Sequence, residues 1–337
     1  MILTYNLKHG RDFSAELEKA RLVARFAVAN RDKLSSKHVS DIGLKSEISN
    51  QILRKYGNNR KCEVISSVLL TIPGQNIKRG EGTLRVPCLK LELDASHLPV
   101  FEKVNQIEVG PVYAHVSVTV SVPPPIQPEG WIGVDLNTTG HSCVVADPAT
   151  GKVLKLGKSE NHVRTSYRRL RRRIQMSRQY RRMKRLKRRE RNKIRDLNHK
   201  ISRKIVETAA AAGRGIAFED LTGIRENRNK KTSKSFKAPL NNWSFFDLRS
   251  KTEYKARLRG IPVVLVPAAN TSKACSRCGR VGDRDGKTFK CPHCGYADHA
   301  DVNAAFNIGK VASTQKGMCG TGALMPRLGN PQAASAA

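Results

Sequence analysis

Two cysteine pairs, Cys275-Ser-Arg-Cys278 and Cys291-Pro-His-Cys294, have the spacing that most plainly specifies chemistry in this chain. In each pair a tight turn brings residues i and i+3 together, so two thiolates face one ion. Two such knuckles make a closed tetrahedral set of four thiolates, the pattern of a structural zinc site. The twelve residues between Cys278 and Cys291 suit the hairpin of a zinc ribbon. Gly279 and Gly295 follow the second cysteine of each knuckle, where a left-handed turn residue is needed. Two disulfides are the competing reading. The lack of a signal-peptide pattern and the basic, intracellular character of the chain count against them. His293, inside the second knuckle, is expected at the surface. Cys62, Cys88, Cys143 and Cys319 are scattered. Three of them fall in apolar, strand-like runs and read as small buried hydrophobes.

Three carboxylates suggest a second kind of chemistry. Asp135 closes the apolar run that starts at Trp131, and Glu219 closes the run that starts at Gly215. Asp301 opens a helical stretch seven residues beyond Cys294. A carboxylate closing a buried strand is costly unless it is paired or holds a metal. Asp on the first strand of a hairpin, Glu on a later parallel strand and Asp on a terminal helix match an RNase H-like α/β core. There the three groups converge on one sheet edge and hold two divalent ions. This arrangement suits phosphodiester hydrolysis: one Mg²⁺ lowers the pKa of a water, and the second stabilises the leaving 3′ oxygen. Hard Mg²⁺ takes oxygen ligands and keeps some waters, so three carboxylates and phosphate oxygens suffice.

Singly, each carboxylate has a plainer reading. Asp135 could be a turn residue before Asn137 and Gly140, and Glu219 a surface residue beside Asp220. Asp301 could serve the positive helix N-terminus, with Asp298 the better N-cap candidate. Asp147, Asp196, Asp247, Asp283 and Asp285 read as turn, helix or ribbon-loop residues.

The 337 residues carry 62 Lys+Arg against 28 Asp+Glu, a formal charge of +34. A soluble chain so basic implies a polyanionic partner, with nucleic acid ahead of a membrane surface. No run of about 18 apolar residues predicts a membrane-spanning helix. Aromatics are only 5%, so phosphate contacts should outweigh base stacking. Arg164–Arg195 holds 17 of the basic residues and a single acid, Glu190. Its apolar residues recur at helical spacing, so one stripe packs on protein while the rest presents cations. Mixed signs would relieve i,i+4 repulsion on a solvated face. Here it goes unrelieved, which favours a bound polyanion for Arg168, Arg169, Arg171, Arg172, Arg173, Arg181, Arg182 and Arg185.

These groups need elements to position them. Residues 1–125 predict a small β-barrel or sheet, with a helical insertion over about 12–57. That insertion holds helices over Phe13–Asn30 and Ser36–Tyr56. Strands are expected over Met1–Leu7, Cys62–Ile72, Thr83–Leu93 and Pro111–Val122. A Pro-rich linker follows, with residues 126–130 as the boundary. Residues 131–269 and 298–311 predict the nuclease-type core. Its expected strands are Trp131–Leu136, Ser142–Ala146, Val153–Leu156, Gly215–Glu219 and Pro262–Val266. One long basic helix is expected over Val163–Ala212, another helix over Asn241–Arg259 and a closing helix over Asp298–Val311. The ribbon is expected over 270–297 and a disordered tail over 312–337. No internal repeat is evident.

Gly133-Val-Asp135-Leu, Phe218-Glu219-Asp-Leu and Asp301-Val-Asn-Ala-Ala-Phe-Asn-Ile308 resemble the three RuvC motifs of the TnpB family. Asn270-Thr-Ser-Lys-Ala-Cys-Ser-Arg-Cys-Gly279 resembles that family's ribbon signature. The resemblance implies a transposon-encoded, RNA-guided DNA endonuclease related to type V CRISPR effectors. It implies that Asp135, Glu219 and Asp301 are the catalytic, Mg²⁺-holding carboxylates, and that the basic helix meets the guide RNA or its heteroduplex. It further implies a wedge-like N-terminal barrel with a recognition insertion that reads a short motif in double-stranded target DNA. Guide pairing would carry the remaining specificity. His299-Ala300 stand where many relatives have Asp-Arg. A compact type V effector shares this core, and a non-cleaving RNA-guided repressor is the other alternative. Retention of all three carboxylates counts against the repressor. The expected setting is the prokaryotic cytoplasm, on nucleic acid, as a monomer.

Overall fold

The structure is a computed structural model that describes residues 1–137, 139–221, 245–267 and 271–315. It divides into two compact units, one over Met1–Ser121 and one from Val122 onward.

In the first unit β1 (Ile2–Lys8) leads into α1 (Ser14–Ala29). The helical stretch expected over Ser36–Tyr56 is broken in two. A 3-10 turn, Ser36–Ile42, ends at Gly43 with φ 69°, and α2 follows over Ser46–Gly57. Val23, Ala27, Ile48, Ile52 and Leu53 are fully buried. The strand expected from Cys62 shrinks to β2 (Leu70–Pro73). The stretch from Thr83 to Leu93 is a hairpin, not one strand. A short β3 (Lys78–Arg79) precedes β4 (Thr83–Val86) and β5 (Leu91–Asp94), and Pro87, which cannot donate to a ladder, opens the turn between the last two. β6 (Lys103–Val109) was not foreseen, and β7 (Tyr113–Thr119) was. The strands form a sheet in the order β1-β7-β6-β2 and a separate sheet β3-β4-β5. No main-chain ladder joins them among the described residues.

The second unit is built on one five-stranded mixed sheet. Its strands are β8 (Trp131–Leu136), β9 (Cys143–Ala146), β10 (Val153–Leu156), β11 (Gly215–Glu219) and β12 (Val263–Val266). Their order is β10-β9-β8-β11-β12. The first three form an antiparallel meander, and β11 runs parallel to β8 and β12.

The long basic segment is not one helix. It is a hairpin of α3 (Lys158–Met176) and α4 (Tyr180–Ala211). Arg178 turns the chain with φ 53°, and the Ser177 hydroxyl donates to the carbonyls of Arg173 and Ile174. Folding back lets Arg171 pair with Glu190, the acid that an extended helix would leave far away.

α5 (Phe245–Arg257) starts at the edge of the described region, and the first residues expected for it lie outside. A small sheet of β13 (Asp283–Asp285), β14 (Thr288–Lys290) and β15 (Ala297–His299) precedes α6 (Ala300–Gln315). Helix α6 runs through residues 312–315, which were expected to be disordered. The remainder of the expected tail, with Cys319, lies outside the described residues, as does Asn270.

Both faces of the five-stranded sheet are covered. Ile132, Val134, Ile216 and Phe218 pack with Ile201, Ile205 and Ala209 of α4 and Leu248 and Ala256 of α5. Trp131, Ala217 and Val266 pack with Ile308 and Ala312 of α6. Val144 and Ala146 meet Val302 and Ala305. Helix α6 lies very close to β8 because both meeting points are glycine. A Cβ on Gly133 would run into the backbone of Ala305 and Gly309, and a Cβ on Gly309 into that of Trp131 and Gly133.

Candidate active site

Strand periodicity places the carboxylates. Successive residues of a strand point to opposite faces. Along β8, Ile132 and Val134 face α4, so Gly133 and Asp135 face α6. Along β11, Ile216 and Phe218 face α4, so Ala217 and Glu219 share the α6 face. Phe218 stands beside Val134 in the parallel ladder, which brings the two acidic strand ends side by side. Asp301 lies in the first turn of α6, on that same face. The fold therefore brings together all three sequence-expected carboxylates.

Each carboxylate has one oxygen held by a nearby side chain. Asn137 donates its amide to Asp135 Oδ2 at 2.9 Å. Thr271 donates its hydroxyl to Glu219 Oε1 at 2.6 Å. Lys287 donates to Asp301 Oδ2 at 2.6 Å and to Asn137 Oδ1 at 3.1 Å. Asp301 is 2% exposed, and its Oδ1 is buried with no hydrogen-bond donor among the described residues. Arg284 Nη2 approaches that oxygen only to 3.7 Å.

The electrostatics are those of crowded negative charge. Burial, then the neighbouring Asp301 carboxylate, push Asp135 up to about 7, with Glu219 adding to the rise and Asn137 and Lys287 opposing it. Burial also raises Glu219, against the Thr271 hydroxyl and the Arg284 guanidinium. Crowded carboxylates and an orphaned buried oxygen suit a divalent cation, which would relieve both costs.

The expected N-cap is corrected. Helix α6 begins at Ala300, and the His299 ring accepts from the Asp301 N–H at 3.3 Å. Asp298 instead accepts from the His299 N–H and the Tyr296 hydroxyl.

The four cysteines form a second site. One sulfur from each of Cys275, Cys278, Cys291 and Cys294 lies within 4.8 Å of the others. Cys275 and Cys294 sulfurs are 3.6 Å apart, as are those of Cys278 and Cys291. Four thiolates about 2.3 Å from one Zn²⁺ have nearly this spacing, so the cluster fits zinc. The three carboxylates are not gathered so tightly. Gly279 and Gly295 take φ 76° and 69°, as their places in the knuckles require. Burial opposes it, yet the backbone N–H groups of Cys294 and His293 bring the Cys291 thiol down to about 7. Cys294, against the Tyr296 N–H, is pushed up by burial and by the neighbouring thiols, so the four sulfurs share protons unevenly when no cation balances them. Phe289, fully buried, packs this small core with Tyr296 and Ala300. His293 is exposed. Cys143 is buried in β9, while Cys62 and Cys88 are half-buried outside any strand.

Seven of the eight arginines expected to meet a polyanion are exposed on α3 and α4; Arg171 is the exception, half-buried against Glu190. No described helix is long and apolar enough to cross a membrane. Thr271, Arg284 and Lys287 were not foreseen as site residues. All three come from the cysteine-rich segment, and only tertiary folding brings them to the carboxylates.

The Cas12f1-like, TNB domain family matches residues 245–308, which contain α5, the four cysteines and Asp301. The TnpB-like protein MJ0751 of Methanocaldococcus jannaschii is 42% identical over 123 residues, 36% of this chain and 44% of that protein. Over this stretch the chain is similar to the TnpB family. Its resemblance extends to the CRISPR-associated endodeoxyribonuclease Cas12f1 of Sulfoacidibacillus thermotolerans, 44% identical over 115 residues, 33% of this chain and 25% of that protein. These matches span less than half of either relative's length. The backbone also aligns with the cryo-EM structure of a Cas12f1–sgRNA–target DNA complex over 92% of this chain and 99% of that one. There the TM-score is 0.46 at 16% identity, and the fold described above rests on the chain's own strands and helices.

Proposed function

We propose that this chain is an RNA-guided, Mg²⁺-dependent DNA endonuclease, with β8–β12 and α6 as an RNase H-like (RuvC) core. The observation that carries the reading is the meeting of Asp135, Glu219 and Asp301 on one sheet face, close enough that two of them raise the pKa of the third. The strand order β10-β9-β8-β11-β12 is the order such a core requires. Similarity to a CRISPR-associated endodeoxyribonuclease supports DNA as the substrate class, and similarity to a TnpB-like protein is consistent with it.

In this reading Asp135, Glu219 and Asp301 hold magnesium. The bound metal would supply an activated water and charge stabilisation at the leaving oxygen. Asn137, Thr271 and Lys287 orient the carboxylates. Arg284 and Lys287 add positive charge where a phosphodiester must approach. The exposed arginines of α3 and α4 bind the guide RNA or its heteroduplex with target DNA, chiefly through phosphates. The cysteines hold zinc, which takes no part in the chemistry. Residues 1–121 serve to read a short duplex motif beside the target.

Purified chain with its copurifying RNA, given Mg²⁺ and a duplex matching that RNA, should cut the duplex. Asp135→Ala, Glu219→Ala and Asp301→Ala should each abolish cutting and keep binding. Cutting that persists in any of the three overturns the catalytic assignment. An uncut target with the unaltered chain would favour the non-cleaving, RNA-guided binder. Sequencing the copurified RNA separates a transposon-derived guide from one encoded in a repeat array.

A further inference from the structure

Thr271 joins the cysteine-rich segment to the sheet. It is 3% exposed and donates its hydroxyl to Glu219 Oε1 at 2.6 Å, across 52 residues of sequence. Its own position is fixed from the other side. Asn307 of α6, 8% exposed, donates its amide to the carbonyls of Thr271 at 2.9 Å and Ala274 at 2.7 Å. Asn303, one turn earlier and fully buried, accepts from the Ser276 N–H at 2.8 Å and donates to the Ala274 carbonyl at 2.8 Å. The segment leading into the first zinc knuckle is thus held to the helix that carries Asp301, and Thr271 reaches from it to Glu219.

We propose that Thr271 is a positioning residue for the metal-holding carboxylate Glu219. The proposal rests on the metal-centre reading above. Glu219 has three side-chain torsions, and a carboxylate free to rotate presents its oxygens poorly to an ion. A hydroxyl donor fixed in place removes that freedom, holding Oε1 while the other oxygen stays available. Asn137 does the same for Asp135 from just beyond its own strand, two residues on. Glu219 lacks such a neighbour among the described residues and takes its donor from the zinc-binding segment. The knuckles therefore set the geometry of the carboxylate centre through Thr271, Asn303 and Asn307.

The test reads Mn²⁺ binding to the full, zinc-loaded chain by electron paramagnetic resonance, without DNA and without turnover. Thr271→Val keeps the shape and removes the donor, and should weaken Mn²⁺ binding about 10- to 100-fold. Thr271→Ser keeps the donor and should restore binding to within about threefold of the unaltered chain, given that same range for outer-sphere partners. In a Glu219→Gln background Thr271→Val should weaken binding no further, because its effect passes through Glu219. A structural defect would persist in that background, and persistence overturns the proposal. Unaltered Mn²⁺ affinity in Thr271→Val overturns it as well. Unaltered affinity in Glu219→Gln instead overturns the metal-centre reading, and the proposal falls with it. Zinc content measured on every variant keeps the comparison to intact knuckles. Should Thr271→Val lose zinc, Thr271→Ala removes the same donor with less bulk.

Discussion

Lys287 Nζ lies 2.6 Å from Asp301 Oδ2 and 3.1 Å from Asn137 Oδ1. One ammonium on the β13–β14 turn thus ties that turn to both α6 and the segment after β8. The carboxylate is 3% exposed at its side chain and the lysine 40%. Lys287→Ala leaves Asp301 short of a countercharge. Because solvent screens the lysine, the change should cost about 1–2 kcal/mol rather than the full cost of a broken buried pair. Urea denaturation at low divalent concentration checks it. Added Mg²⁺ should shrink the difference, because the ion supplies the missing charge.

Gly133→Ala should be far more damaging than its size suggests. The added methyl meets the Ala305 carbonyl and the Gly309 backbone, neither of which can rotate away. Overpacking of this kind costs about 3 kcal/mol or more, a fall in Tm of about 6–12 °C for a unit of this size. It also pushes Asp301 away from Asp135, so DNA cleavage should drop with it. Calorimetry and a cleavage assay on one preparation read both effects.

Much of this could be read from residue patterns. Apolar runs ending in acid gave Trp131–Leu136 and Gly215–Glu219 at their observed bounds, because a buried parallel strand is a short apolar run with clear ends. The knuckles were legible because four-thiolate chemistry is local in sequence. The α3–α4 break was not, since a single left-handed residue, Arg178, makes the turn without glycine or proline. Strand β6 was missed because its alternation is blurred by polar residues such as Asn105 and Gln106 and by the bulge between Val104 and Gln106. Thr271 and Lys287 could not be found by pattern, because hydrogen bonds spanning 52 and 150 residues leave no periodic trace.

Asp135 gives the protein a pH signature. Its folded pKa, about 7, lies well above the unfolded value near 3.9. Below about pH 4 the group is protonated in both states. Between about 4 and 7 the folded chain holds the proton more tightly, so this contribution to stability is lost as pH rises through 7. Without added Mg²⁺, the Tm should therefore fall from pH 5 to pH 8. Asp135→Asn should flatten that slope and raise the Tm at pH 8, while abolishing cleavage. A steeper slope in Asp135→Asn would refute the assignment.

Removing cations from α3 and α4 should act on salt dependence. Every phosphate left without its cation lowers the slope of log K against log salt by about 0.7 to 0.9. Arg181→Ala, Arg182→Ala and Arg185→Ala combined should flatten it by about 2 to 3, measured by RNA-binding anisotropy between 50 and 200 mM salt. Arg171→Ala should change it less, and should destabilise the hairpin instead, because that guanidinium is engaged by Glu190.

Cysteine chemistry offers a separate check. Native chain should contain one zinc, and Cys278→Ser should lose it. Because Asn303 and Asn307 hold the first knuckle to α6, zinc loss should lower the Tm of the whole second unit instead of producing a separate ribbon transition.

The turn at Arg178 also fixes a spacing. Laid out as one helix, the residues from Arg164 to Arg195 would run about 48 Å at 1.5 Å per residue. Their 17 cations would then fall about 3 Å apart, close to the 3.4 Å between charges on one nucleic-acid strand. Doubled back, the same cations share about 24 Å, or about 1.5 Å each, near the 1.7 Å charge interval of a duplex. By bending at one residue, the chain changes from a charge ruler for a single strand to one graduated for two.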